Sequence, residues 1–503
     1  MNFIFKSRLG ICAFSSLFLS INLSSAATIL VPSQYSTIQA GINAALVGDT
    51  VLAAEGIYTG LGNKNIDFLG KAIVVSSESG AETCIIDCQN EDRGFYFHTG
   101  EDTNSLLKGF TIRGGNAEDG GGIFCSSVSP IIDSCILAEN TVEDYGGGIY
   151  CYFAPLIIRN CLFYGNSCGW DGAGIFLYCS DVLVENSVFR KNSAFFAGGI
   201  WSENSDPMIT NCVFEENNAA WDGGGILIGF YSQALVEGCR FYRNNAWRGG
   251  GIWCHKSDFS IQNCLICDNT ADCGGGMILY WQSDNVIKNC TITGNSASSD
   301  GGGIHCSYSN AAIVNTIVSG NFGNGGLYCD VYTDLSITYG DYWDNEGGNF
   351  TGPAVPAGLG QIVSVNANGD SCDIYHNIFL DPEFTYPQAG IYNLLPSSPC
   401  IDAGDPDSPM DPDSTVADMG AFYFNQNVSI VQDLIISVED NNVVLCWTPI
   451  STGFCSYNIY RSDTPYFDIS TMSHLASVIE TEYIDNNAVL LGNGFYCVTV
   501  ETE

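Results

Sequence analysis

Between about residues 120 and 330 the apolar and polar positions of this chain repeat with a step close to 26 residues. A glycine-rich block, Gly-Gly-Gly-Ile in its full form, ends at Ile123, Ile149, Ile175, Ile200, Ile226, Ile252, Met277, Ile304 and Leu327, with steps of 26, 26, 25, 26, 26, 25, 27 and 23. A second block, apolar-apolar-x-Asn-Cys-x-apolar-x-x-Asn, keeps the same register. Its Cys column runs Cys135, Cys161, Ser187, Cys212, Cys239, Cys264, Cys290 and Thr316, and its Asn column Asn140, Asn166, Asn192, Asn217, Asn244, Asn269, Asn295 and Asn321. The apolar segments are short, rich in Ile, Val, Phe and Cys, and broken every few residues by Gly, Asn, Asp or Ser, which suits strands and turns. Strands recurring without helices between them predict an all-β coil in which each turn stacks on the last. With a rise of about 4.8 Å per coil, nine or ten coils make a rod of about 45 Å.

Within such a coil each column has a physical reading. In Ile149-Tyr150-Cys151-Tyr152, alternation puts Ile149 and Cys151 inside and Tyr150 and Tyr152 outside. The Gly run allows a turn with positive φ and close approach of neighbouring coils. The Asn column predicts a buried amide ladder. Cys125, Cys151, Cys254, Cys306 and Cys329 stand two after the column Ile, and with the Cys column they read as stacked buried thiols. The off-ladder Cys84 with Cys88, Cys168 with Cys179, and Cys267 with Cys273 are the disulfide candidates.

The ends depart from the period. Residues 35–47 place Ile38, Ile42, Ala45 and Leu46 at helical spacing behind Ser36 and Thr37, which predicts an amphipathic helix capping the sticky N-terminal edge of the rod. Before it, Lys6 and Arg8, the apolar stretch Ile11 to Leu23, and Ser24, Ser25, Ala26 and Ala27 read as an export signal over residues 1–27. No later segment is apolar enough to span a membrane. The mature protein is therefore expected to be secreted or attached to a cell surface by partners.

Composition narrows the partners. Asp plus Glu number 55 against 16 Lys plus Arg, a formal charge of −39 over 503 residues, which excludes nucleic acid. The same charge opposes tight binding of a polyanion unless Ca²⁺ bridges the two. No cofactor is required, and Ca²⁺ is possible.

Residues 29–58, with Val31-Pro32, Tyr35-Ser36-Thr37-Ile38-Gln39, Gly48-Asp49-Thr50-Val51 and Gly56-Ile57-Tyr58, resemble the opening of the pectin-lyase-like right-handed parallel β-helix superfamily. The Gly-Gly-Gly-Ile coils resemble its bacterial repeat-protein branch. Asp381-Pro382-Glu383-Phe384, Ser398-Pro399-Cys400-Ile401-Asp402-Ala403-Gly404 and Asp418-Met419-Gly420-Ala421-Phe422 resemble its terminal segment. The likeness spans about residues 29–425. It implies the fold but no single activity, since the superfamily holds lyases, hydrolases, epimerases and adhesins. From about 430 the period gives way to ordinary alternation, and Val443 to Trp447, Tyr457 to Arg461 and Phe495 to Val500 resemble strands of a fibronectin type III sandwich.

Two outward columns carry candidate chemistry. One follows each column Ile: Phe124, Tyr150, Phe176, Trp201, Leu227, Trp253, Ile278, His305 and Tyr328. The other stands five before it: Glu118, Asp144, Trp170, Phe195, Trp221, Trp247, Asp272 and Ser299. Trp170, Phe195, Trp221 and Trp247, with Trp201 and Trp253 near them, offer flat faces on which sugar rings can stack, although stacked aromatics also stabilise neighbouring coils. Four before the Ile stand Asp119, Asp171, Asp222, Arg248 and Asp300. The Asp residues are candidate Ca²⁺ ligands, while Asp-Gly is also ordinary turn chemistry.

For catalysis, the resemblance implies Asp-held Ca²⁺ with an Arg or Lys base in lyases and paired carboxylates in hydrolases. Arg248 beside Asp222 and Asp272 is the one constellation of that kind. His255 and His305 have no nucleophile near them in sequence. The expected function is binding of carbohydrate or another macromolecule along an aromatic-lined face. A polysaccharide lyase or glycoside hydrolase and a purely structural or adhesive protein are the alternatives.

Overall fold

The computed structural model describes residues 26–281, 283–426 and, towards the C-terminus, 429–431, 434–439, 441–448, 455–462, 472–486, 488 and 494–502. Most of the expected export signal lies outside the described residues. The chain winds into a parallel β-solenoid of about 12 turns with a period near 26 residues, about 58 Å long at 4.8 Å per coil. This exceeds the nine or ten coils expected. Strands Thr28–Val31, Thr50–Ala53 and Val74–Ser77 open the same sheet that the repeats continue. Their connecting loops vary in length, which erases the sequence period while the pairing register persists.

Three long parallel sheets wall the rod. A 13-stranded sheet runs from Thr28–Val31 to Asp334–Thr338, a 12-stranded sheet from Gly56–Tyr58 to Asp341–Trp343, and an 11-stranded sheet from Phe95–Phe97 to Phe350–Thr351. The last contains the strand that follows each Gly run and is called here the glycine-led sheet. Its pairings Ile123↔Ile149↔Ile175↔Ile200↔Ile226 keep the sequence column in register. Glycine is required by contact as well as by turn. Gly146 has φ +66°, and a Cβ on Gly148 would lie 2.4 Å from the Gly174 carbonyl oxygen one coil up.

Inside, columns stack face to face, as in Phe189 on Phe214 (4.8 Å, 7°) and Phe214 on Phe241 (4.7 Å, 3°). The Asn ladder forms as expected. Asn192 Nδ2 donates to Asn217 Oδ1 at 3.0 Å and to the Phe163 carbonyl at 3.0 Å, while the Asn192 backbone N–H donates to the same Asn217 Oδ1 at 3.1 Å. The ladder runs one rung further than expected, to Asn345. A second polar stack, Ser180, Ser205, Ser232 and Ser257, links coils by backbone N–H to Oγ bonds. It stands five or six residues after the column Ile and was legible but unread.

Cys84, Cys88, Cys168, Cys179, Cys267 and Cys273 are all free, so the three expected disulfides are corrected. Cys84 precedes the Ile85↔Thr111 pairing and stacks in the Cys column itself. Cys168 packs on Val142 and Ala194, whereas Cys179 sits at the corner after the glycine-led strand. Cys267 lies under Tyr392, whereas Cys273 lies beside Arg248 on another face. Burial pushes the Cys84 and Cys254 thiols up to about 12.

The capping helix α1 (Ile38–Ala44) is shorter than residues 35–47. Thr37 caps it through Oγ1 to the Ala40 N–H, and Ile38, Gly41 and Ile42 face the core. Leu46 is 65% exposed, so it does not join the apolar face as expected, because the chain is already extended at Ala45. At the other end the segment to about residue 424 folds back on the 12-stranded sheet. There the Gly420 N–H bonds to the Asn315 carbonyl, and Leu394, Cys400 and Met419 pack with Ile317. Beyond it, antiparallel sheets of four and three strands share a core of Leu445, Trp447, Tyr457, Ile459 and Val498.

Candidate functional site

The outer face of the glycine-led sheet gathers most of the candidate residues. Because each coil enters this strand through a Gly turn, the residue five before the Ile lands at the strand's leading margin. Trp170 (51% exposed), Phe195, Trp221 (39%) and Trp247 (43%) form a continuous exposed row there. Trp170 and Phe195 meet at 5.7 Å, Phe195 and Trp221 stack at 5.9 Å and 14°, and Trp221 and Trp247 meet at 4.3 Å.

Trp201 and Trp253 do not join that row as expected. They are 6% and 5% exposed and form an outer apolar layer with Tyr150, Phe176, Leu227 and Ile278. Neighbouring rings cover this floor. Phe196 lies 5.3 Å from Trp201, Phe230 stacks on Trp201 from the other side, and His255 stacks on Trp253 at 4.9 Å and 5°. The indole Nε1 of both tryptophans is buried with no hydrogen-bond partner among the described residues.

The far margin of the same strands is also aromatic, which the sequence reading missed. Tyr152, Phe153, Tyr178, Phe230, Tyr280, Trp281 and Tyr308 line it, joined by contacts such as Tyr152 on Tyr178 at 5.6 Å and 6°. The signal was present as aromatics three or four residues after Ile149, Ile175, Ile226, Met277 and Ile304.

Arg248 and Asp222 meet as expected. Nε donates to Oδ1 at 2.6 Å and an Nη to Oδ2 at 2.7 Å, and the guanidinium lies 5.1 Å from the Trp247 ring and 5.5 Å from that of Trp253. Burial works to lower the Arg248 pKa, but the bond and charge of Asp222 outweigh it and raise it. A guanidinium held in this way is a poor proton acceptor. Asp272 stands apart from the pair, taking a bond from Ser298 Oγ at 2.6 Å.

The Ca²⁺ candidates are strung along the rod and do not converge. Asp119 accepts from the Tyr145 N–H and Asp300 from Asn324 Nδ2, and Asp222 is the partner of Arg248. Asp171 lies between Tyr145 and Phe196. Its Oδ1 is buried without a partner among the described residues, and burial, then the charges of Glu203 and Asp144, push its carboxyl up to about 7. Among the described residues no group of three or more His, Cys, Asp or Glu side chains is placed to hold a metal ion. Burial pushes His255 down to about 4, and His305 packs against Tyr328 at 5.0 Å with the rings tilted by 34° and Nδ1 unpartnered among the described residues.

Among the described residues no helix is long and apolar enough to cross a membrane. No curated protein matches the chain in sequence. Among solved structures, a pectate lyase is 14% identical, covering 80% of this chain and 97% of its own, at a TM-score of 0.40. A mannuronic acid specific polysaccharide family 6 lyase from human gut microbiota is 12% identical over 65% of this chain and 82% of its own, at 0.37. The A-module of a mannuronan C-5 epimerase from Azotobacter vinelandii is 12% identical over 65% and 96%, also at 0.37. At this depth the substrates in those names belong to those proteins. The family model described as right handed beta helix region matches residues 169–322, the stretch whose coils form the aromatic face.

Proposed function

We propose that this is a secreted or cell-surface β-helix protein that binds polysaccharide along the outer face of the glycine-led sheet. The observation that carries this reading is the unbroken exposed row Trp170, Phe195, Trp221 and Trp247, one ring per coil. Ring contacts between coils stabilise the rod, but they leave large indole faces in water, and rings in line along an axis suit a linear glycan. The C-terminal sheets are read as a fibronectin type III-like spacer without chemistry. A lyase with Arg248 as base is disfavoured by the ion pair to Asp222.

The test is retention of the purified chain on a panel of insoluble neutral and uronic-acid polysaccharides, with release of reducing or unsaturated ends followed in parallel. Retention without products, lost in Trp221→Ala, is expected. Product release abolished by Arg248→Ala or Asp222→Ala would replace binding with catalysis. EDTA is expected to leave retention unchanged, since the Asp column does not converge.

A further inference from the structure

Each coil turns its corners through residues of positive φ, and over the coils of this face two of the corner columns carry no aromatic ring. One carries Asn160, Asn186, Asn211, Gly238, Asn263 and Asn289, with Asn φ values of 48–54°. Another carries Glu139, Gly165, Lys191, Glu216, Arg243, Asp268 and Gly294, so long polar side chains also take this turn. Gly tolerates this region freely, and Asn and Asp do so better than other residues. The column after the glycine-led strand, which also holds Ser127, Cys179 and Lys256, adds bulky rings to this turn, with Phe153 at 50°, Phe230 at 52°, Trp281 at 53° and Tyr308 at 52°. Bulky rings in this conformation are outliers that strain the backbone. Phe153, Trp281 and Tyr308 do not repay that strain by burial, being 48%, 44% and 44% exposed. Asn204 stands in the same column, so the corner itself has no need of a ring.

We infer that this strained aromatic corner is a second contact row, and that the two rows with the filled floor between them form one broad platform for the ordered surface of a neutral polysaccharide. The inference rests on the binding reading above and adds the class and packing of the ligand. The rows stand at opposite ends of the same sheet's four-residue strands, about 13 Å apart. The first spans four coils, Trp170 to Trp247. The corner rings reach from the coil before it, Phe153, to the two coils after it, Trp281 and Tyr308, with Phe230 on a shared coil, about 29 Å in all. Between them Phe196, Phe230 and His255 cover Trp201 and Trp253, so the space is filled to a surface and offers no cleft for one chain. A platform of that width meets several parallel chains at once.

Charge selects a neutral ligand. The Arg248 guanidinium is engaged by Asp222 and Lys256 lies 5.0 Å from the Trp281 ring, while Asp144, Asp171, Glu203, Asp272 and Asp300 border the same face. A uronic-acid polymer would meet net repulsion there. Pyranoses with equatorial hydroxyls present C–H groups on both ring faces and stack without needing a cation.

The experiment compares the full chain with the triple variant Phe153→Asn, Trp281→Asn, Tyr308→Asn and with Trp221→Ala. Phe230 is spared because it covers Trp201. Retention is measured on microcrystalline cellulose, chitin and insoluble polygalacturonate, well below every variant's thermal transition, and the transitions are recorded. The triple variant is expected to lose retention on cellulose or chitin by about tenfold or more, with a transition unchanged or raised as the corner strain is relieved.

Unchanged retention in the triple variant, with loss in Trp221→Ala, would overturn the second row and leave the binding reading standing. A lowered transition in the triple variant would mark the rings as structural. Stronger retention on polygalacturonate would overturn the neutral ligand. No retention of the unaltered chain on any glycan would remove the binding reading and this inference together.

Discussion

Arg248 shows how one residue can be held by its neighbours away from the chemistry its type suggests. Asp222 has 2% of its side chain exposed and takes both guanidinium bonds. Arg248→Ala therefore strands a buried carboxylate and is expected to cost about 3–5 kcal/mol, read by chemical denaturation, whereas Asp222→Leu with Arg248→Met should cost far less. Asp171 supplies a pH signature. Its folded pKa of about 7 lies above the ordinary carboxylate value, so the folded state holds a proton that the unfolded chain has released. This group is without effect below about pH 4 and costs stability as pH rises towards 7. Asp171→Asn should thus stabilise the chain at pH 8 and leave it unchanged at pH 4, checked by thermal unfolding at both values.

Among the elements, the Asn ladder dominates. Each internal Oδ1 accepts from the side chain and the backbone of the coil below, and each Nδ2 reaches a carbonyl besides. Asn217→Ala leaves several buried partners unsatisfied, and at about 1–3 kcal/mol for each this single change should lower the transition sharply. The glycine run is constrained from the opposite direction. Gly148→Ala forces a methyl against the Gly174 carbonyl, with overpacking of about 1–3 kcal/mol expected.

At the scale of the whole molecule, stacked coils bond only to their neighbours, so stability is roughly a sum of coil terms and interfaces. Two consequences can be measured. The buried thiols of Cys84 and Cys254 should resist alkylation and react on unfolding, because burial holds their pKa values high and only the thiolate is a nucleophile. The charge of −39 opposes compaction, so adding salt should raise the transition temperature by screening.

The repeat determined the coil by itself. An Ile column and an Asn column in one register leave a chain few ways to bury both except by stacking, and glycines with no room for a Cβ hold the coils close. Sequence also placed Trp170, Phe195, Trp221 and Trp247 at one margin, since a fixed offset from the column Ile becomes a fixed position on the face. It could not separate the exposed rings from the covered ones. Trp201 and Trp253 point outward by alternation, yet Phe196, Phe230 and His255, arriving from both margins, cover them. Spacing brought Arg248 and Asp222 together, but only the geometry showed that their meeting neutralises the candidate base. The corner rings lay in the sequence as an unremarked column. Their positive φ became visible only when the coil closed, because backbone strain belongs to the turn and is not written in the side chain.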